Sequence, residues 1–510
     1  MRVRIARARA PVLIAFLLGA CSVGPDFQRP DAPKGGSYVE APLPLTTRGS
    51  TGAAADSTAD ATADSKFAAQ NLRVGNDLAQ DWWTLFHSDA LDRFVSAALR
   101  DNPTLAGASA TLRVAQENLA ATRGSLFPSV NASASAARER ASGAAIGINS
   151  PGNTFSLYNA GVSVSYTFDL FGSVRRQIEA AQAQVDYQEN QYRATQLALT
   201  ANIVTSVIRE AQLREQVLAL REVEKLQRAG LAIVERRFAL GAVTRTDVLS
   251  QRTALAQTVA AISPLEKQRA QARHQLAAYA GKTPSEVDLA GFDVAHLELP
   301  VDLPVSVTSD LVRQRPDILA SEALLHAASA QVGVATANLY PQITLGGNYG
   351  STALSASSLF KPASVVWGLT GSVTQPIFHG GTLRAQRRAA VAAFDQAAAA
   401  YRQTVLGAFQ NVADALRALE FDAQTLAAQS DAYDQAKGAA DLAQRQFDTG
   451  ASSYLSLLSA QQQYQQAAVN VVQARADRLA DTAALFQALG GGWWNPAAAQ
   501  PAPKPVARSD

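Results

Sequence analysis

The sequence predicts a mainly α-helical protein with a small β component that one copy of the chain cannot complete. Three observations predict this. Two stretches, from about Gly172 to Leu240 and from about Gly381 to Thr449, contain no proline and few glycines. Each reads as one helix of roughly 65 residues, about 100 Å long at 1.5 Å per residue, several times the ordinary globular length. Strand-like alternation is confined to two regions, and each leads directly into one of these stretches. Landmarks of the first half recur in order in the second, so the chain is an internal duplication.

The bulk numbers agree. Hydrophobic residues make up 47% of 510, but aromatics only 7%, and much of the rest is alanine. That suits closely packed helices better than a large aromatic core. A net charge of +2 gives no reason to expect a nucleic-acid partner. One cysteine excludes an internal disulfide and a cysteine metal cluster.

Residues 1–20 read as a signal peptide, with Arg2, Arg4, Arg7 and Arg9 ahead of an apolar run from Pro11 to Ala20 that is too short to span a bilayer. Leu18-Gly19-Ala20-Cys21 resembles a bacterial lipobox, which makes Cys21 the acylated first residue and the anchor to membrane lipid. Ser22 rather than aspartate follows it, favouring the outer membrane. Residues 21–80 form a proline-rich strap and then a Thr/Ala/Asp/Ser linker, Thr46–Ala69, with no packed structure expected.

The first repeat occupies residues 81–304. Order resumes at Asp81-Trp82-Trp83, and two short helices flank Asp101-Asn102-Pro103. Strands fall at about 125–171. Val162, Val164, Tyr166 and Phe168 alternate with Ser163, Ser165, Thr167 and Asp169, giving one apolar and one polar face. The long helix spans about 172–240 and turns at Gly241. A return helix spans about 246–280, with a break and restart expected at Ser263-Pro264-Leu265-Glu266 from its capping pattern.

The second repeat occupies residues 305–492, with strands at about 339–378, a long helix at about 381–449 and a return helix at about 453–489. Residues 493–510 are a Pro/Ala-rich tail. Pro103 and Pro128 recur as Pro316 and Pro341, 213 residues on, and Phe238 and Gly241 recur as Phe447 and Gly450, 209 residues on. Each repeat supplies two strands. An open four-stranded sheet has two bare edges, and a sheet in lipid must close. Bacterial barrels start at eight strands, so closure needs two or three copies. No segment after the signal has 18 consecutive strongly apolar residues, so a helical membrane span is excluded on this reading.

The chain resembles the TolC/OprM outer membrane factors, in particular their lipoprotein (NodT-type) branch. The resemblance rests on Cys21-Ser22-Val23-Gly24-Pro25-Asp26-Phe27, Asp81-Trp82-Trp83, Arg315-Pro316-Asp317, Tyr340-Pro341, Gln375-Pro376-Ile377-Phe378, Thr449-Gly450 through Tyr454-Leu455-Ser456-Leu457-Leu458, and Ala488-Leu489-Gly490-Gly491-Gly492-Trp493. It implies a homotrimer with a twelve-stranded membrane barrel and a periplasmic helical barrel. A periplasmic adaptor and an inner-membrane transporter are the implied partners. The implied function is a passive duct for drugs or other toxic small molecules. A protein-secretion duct of the same architecture and a pore-free envelope lipoprotein are the competing readings, and the alternating strands speak against the latter.

The resemblance places the working residues at the helix tips. Phe238, Gly241, Phe447 and Gly450 are the expected adaptor-docking tips. Leu455 and Ser459 match constriction positions, and Ser456 and Ser459 stand where relatives carry carboxylates, so the gate is expected to be hydrophobic. Asp247 matches a gate-network aspartate whose arginine partner position is Ser452, with Arg245 as a substitute; a helix-start charge is its other reading. Arg175-Arg176 and Arg384, Arg387 and Arg388 follow the strands, as lipid-headgroup contacts, cargo-steering charges or solvated charges. The five histidines are scattered, and no metalloprotease, nucleophile-elbow or phosphate-loop motif is present. No catalytic residue, cofactor or metal is expected.

Overall fold

The computed structural model describes residues 22–31, 38–40, 46–47, 69–142, 152–286, 297–306 and 308–495. The signal segment, Cys21, nearly all of the Thr46–Ala69 linker and the tail beyond Asn495 lie outside them.

In chain order the elements are β1 (Thr46–Thr47), β2 (Gln70–Val74), a 3-10 turn (Trp82–Phe86), α1 (Asp89–Asp101), α2 (Pro103–Gly124), β3 (Ser129–Ala141) and β4 (Asn153–Phe168). They continue with α3 (Ser173–Ala239), α4 (Arg245–Tyr279), β5 (Asp302–Val305), α5 (Thr308–Gln314), α6 (Pro316–Ala337), β6 (Gln342–Ala353) and β7 (Val365–Thr374). The chain then forms α7 (Thr382–Asp448) and α8 (Tyr454–Ala488). The two long helices have 67 residues each and the two return helices 35 each, so the duplication holds to the residue in the helical hairpins.

The chain divides into two compact units. The first comprises residues 1–30, 110–189 and 320–402 and contains the four-stranded antiparallel sheet, in the order β3-β4-β6-β7. The second comprises residues 31–109, 190–319 and 403–510. A buried aromatic cluster in it joins Trp82, Phe86 and Phe486, with ring centroids 5.5–6.5 Å apart. A small sheet β1-β2-β5 belongs to it, with β2 and β5 parallel.

The structure departs from the sequence reading in three places. Gln70–Val74 lies in a region read as strap and linker, yet it pairs with Asp302–Val305. Four residues, Asn71–Val74, paired with partners more than 200 positions away leave no local signal. The break expected at Pro264 is absent, and α4 runs through it. A proline removes one backbone hydrogen bond, and packing holds the helix across the gap, with Ile262 buried against Val217 and Leu220. Finally, α6 is long and apolar enough by composition to span a bilayer. It nonetheless carries Glu322 and His326, bonded to Arg29 (2.8 Å) and Glu179 (2.9 Å), and buries Ile318, Leu325, Ala330 and Val332. It is a packed helix.

Candidate functional site

Both long helices end in the same hydrogen-bonded turn. In the first, the Gly241 N–H donates to the Phe238 carbonyl and the Ala242 N–H to that of Arg237; in the second, Gly450 donates to Phe447 and Ala451 to Gln446. This is the Schellman closure, which puts the glycine in the left-handed region, and Gly241 and Gly450 have φ of +73° and +77°. The Phe-x-x-Gly spacing is therefore a backbone requirement at its glycine.

The return helices start with matching caps. The Thr244 side chain accepts from the Asp247 N–H, while the Asp247 carboxylate accepts from the Thr244 N–H at 2.8 Å, a complete capping box. Ser453 caps α8 by accepting from Ser456. Asp247 and Ser456 thus hold the same cap position in the two repeats. Arg245 shows no ion pair with Asp247 among the described residues.

The tip encloses a small core of Val234, Val248, Ala443, Phe447, Tyr454 and Leu457. The Tyr454 hydroxyl donates to the Gln251 side-chain oxygen, and Gln251 Nε2 donates to the Gln227 carbonyl at 2.9 Å. Burial pushes the Tyr454 phenol well above its ordinary range, and the charge of Asp247 adds to the effect. On α8 this buried face is opposed by one bearing Leu455, Ser456 and Ser459, all open to solvent, with Leu455 73% exposed. The i, i+4 spacing of Leu455 and Ser459 puts them one above the other. The two tip phenylalanines differ. Phe238 is 44% exposed, whereas Phe447 is 3% exposed and inside the core. A docking partner can touch Phe238 directly; Phe447 supports the turn from within.

One tip residue has no warning in the resemblance. Arg237, in the last turn of α3, donates Nη1 to the Phe447 carbonyl and Nη2 to the Asp448 carbonyl, both at 2.9 Å. Its Cζ lies 4.4 Å from the Phe447 ring centroid. A cation at a helix C-terminus meets the orphan carbonyls and the negative end of the dipole. Here one hairpin supplies the cation and the other the helix end. The available sequence signal was Arg236-Arg237 in a last turn, which does not say whose carbonyls they reach.

The register of the four-stranded sheet sorts its side chains by face. Across β4, β6 and β7, Val162 is paired with Tyr349 and Tyr349 with Trp367; Val164, Gly347 and Leu369 form the next row; Phe168, Ile343 and Val373 form another. Between them lie Ser163-Asn348-Gly368, Ser165-Gly346-Thr370 and Thr167-Thr344-Ser372. One face is aliphatic and aromatic, the other hydroxyl, amide and glycine. Trp367, Leu369, Val373 and Tyr349 are all exposed. Such a sheet suits lipid on one side and water on the other.

Where the sheet gives way to helices, the Ser22–Arg29 strap is seated by polar and aromatic contacts. Arg176 pairs with Asp26 (2.6 Å) and Glu179 (2.7 Å), and Phe27 stacks on His326 at 4.4 Å. Arg175 bonds Asp169, ahead of its own helix. These two arginines have structural partners, while Arg384, Arg387 and Arg388 are exposed. Among the described residues, no group of three His, Cys, Asp or Glu side chains is placed to hold a metal ion.

A family model described as outer membrane efflux protein matches residues 94–282 and 307–491. The chain belongs to the outer membrane efflux protein family. It is 30% identical to the toluene efflux pump outer membrane protein TtgC of Pseudomonas putida, over 94% of each chain. It is also 30% identical to the pyoverdine export outer membrane protein OpmQ of Pseudomonas aeruginosa, over 90% of this chain and 96% of that one. Among solved structures, the outer-membrane channel OprN superposes with a TM-score of 0.80 at 28% identity, covering 93% of this chain and all of that one. The family consists of channel proteins, not enzymes. This chain is accordingly an outer membrane efflux channel, working as a trimer with a periplasmic adaptor and an inner-membrane transporter. Three four-stranded sheets supply the twelve strands that the resemblance implied.

Proposed function

We propose that the chain is a passive exit duct for small molecules such as drugs or other toxic compounds, gated at its helical tips. The carrying observation is the sheet register, which aligns apolar rows on one face and hydroxyl, amide and glycine rows on the other. A pore-free spacer has no use for that arrangement. The names of relatives support small-molecule cargo, toluene for one and pyoverdine for another. In this reading Leu455 forms the narrowing ring, and Ser456 and Ser459 leave it without fixed charge, so the gate excludes by dewetting rather than by ion selection. Asp247 shapes the turn beside it through its capping box. Phe238, Gly241 and Gly450 present the surface that the adaptor meets, and Phe447 stiffens it. Residues 1–20 are removed and acylated Cys21 anchors the strap to outer membrane lipid. The chain performs no chemistry and needs no cofactor; energy comes from the transporter.

The test is accumulation in cells. Removing the chain should raise intracellular toluene and lipophilic antibiotic, and restoring it should reverse the rise. Unchanged accumulation together with lost export of a protein would instead establish the secretion duct.

A further inference from the structure

We infer that Ile377 and Phe378 of one copy clasp Leu126 and Phe127 of the next, closing an apolar collar at the helical end of the sheet. The inference rests on the trimer of the channel reading and specifies where its copies grip. Strands β3 and β7 are the two free edges. Neighbouring strands in the sheet all run antiparallel, and Ser129 of β3 and Thr374 of β7 lie at the same end of it. When β7 meets the next copy's β3, the residues just after Thr374 and those just before Ser129 come together. These are Pro376-Ile377-Phe378 and Leu126-Phe127-Pro128.

Both sides are bare in the single chain. Ile377 is 93% exposed, Phe378 85% and Phe127 71%. Exposed apolar side chains grouped this way mark an interaction surface. A groove of about 430 Å³ beside Phe378, lined by Leu339, Pro376 and Leu383 and also by Gln375, His379, Thr382 and Arg384, leaves room for an aromatic ring. The occupant is a second copy because the patch continues an edge that only another copy completes. Lipid is the competing occupant.

Disulfide trapping separates the two. Within one copy, the edges lie three strand spacings apart, about 14 Å, whereas a disulfide requires Cα atoms within about 7 Å. A bond between cysteines at 127 and 377 or 378 therefore joins two copies. The variants Phe127→Cys/Ile377→Cys and Phe127→Cys/Phe378→Cys, oxidised in outer membrane fractions, should give a ladder of covalent dimers and trimers. Each single variant, which retains Cys21, should give none. A double variant that conducts as a trimer but yields no ladder in either pairing overturns the clasp and leaves the channel reading intact. Labelling of the same cysteines by a lipid-phase maleimide would then assign the patch to lipid. As a second measurement on an uncrosslinked chain, Phe378→Ala should lower the temperature at which trimers dissociate in detergent. Dissociation unchanged from the parent also overturns the clasp.

Discussion

Arg237→Ala should loosen the tip without unfolding the helices. The guanidinium makes two 2.9 Å hydrogen bonds to the end of α7 and lies over the Phe447 ring. The lost carbonyl partners can be rehydrated, so each bond counts for about 0.5 kcal/mol net, the low end for protein hydrogen bonds. The helix-end charge interaction adds about 0.5 kcal/mol, and the ring contact about 0.5 kcal/mol at a partly open site. The total is about 2 kcal/mol, roughly thirtyfold in an opening equilibrium at 1.4 kcal/mol per tenfold. Hydrogen exchange on purified trimers measures it. Amides from Gly450 to Leu457 should lose about thirtyfold protection, while those around Phe486 keep theirs. Arg237→Lys retains the charge but not the planar fork, and should fall between. Protection that stays within about threefold in the alanine variant would mean the Phe447 core alone holds the turn.

Phe447→Ala should cost about 3–5 kcal/mol, because its ring is fully inside the tip core, whereas Phe238→Ala should leave thermal stability nearly unchanged and weaken binding of the purified adaptor. Equal stability losses would contradict the burial difference between the two repeats. Burial raises the Asp422 carboxyl to about 7, with a hydrogen bond to Asp481 and the charges of Asp481 and Asp477 in support and Arg478 opposing. The folded value lies above the unfolded one, so the folded state keeps its proton longer and stability falls as pH rises from about 4 to about 7. Asp422→Asn should flatten that dependence in denaturant midpoints taken at about pH 5 and about pH 8; an unchanged slope would remove Asp422 as its source. Ser459→Asp should turn a weakly selective pore cation-selective in reversal-potential measurements, by placing one carboxylate per copy at the narrowing. No shift in reversal potential would place the constriction elsewhere.

The features legible in the sequence were those written locally and repeatedly. The long helices show as proline-free runs, and the membrane strands show because Ser163, Ser165 and Thr167 alternate with apolar neighbours in every turn of the pleat. The tip glycines show because positive φ restricts residue choice. What stayed hidden depends on partners distant in sequence. Strand β2 became a strand through Asp302–Val305, and Arg237 acquired a role through carbonyls about 210 residues away. Pro264 was misleading for the opposite reason, since a strong local signal was overridden by packing of Ile262. At the tip, spacing identified Phe238 and Phe447 as equivalents but could not show that one repeat buries its phenylalanine and the other exposes it. Phe447 packs among Val234, Val248, Ala443, Tyr454 and Leu457 with Arg237 over its ring, whereas Phe238 stays 44% exposed.

The central claim is that three copies form a duct whose closure lies at the tips. Single-channel recording of purified trimers in planar bilayers tests it most directly, comparing the parent with Arg237→Ala and Leu455→Ala. The account predicts small, infrequent openings for the parent and larger, more frequent ones for both variants. Trimers that insert yet never conduct, with or without these substitutions, would contradict it.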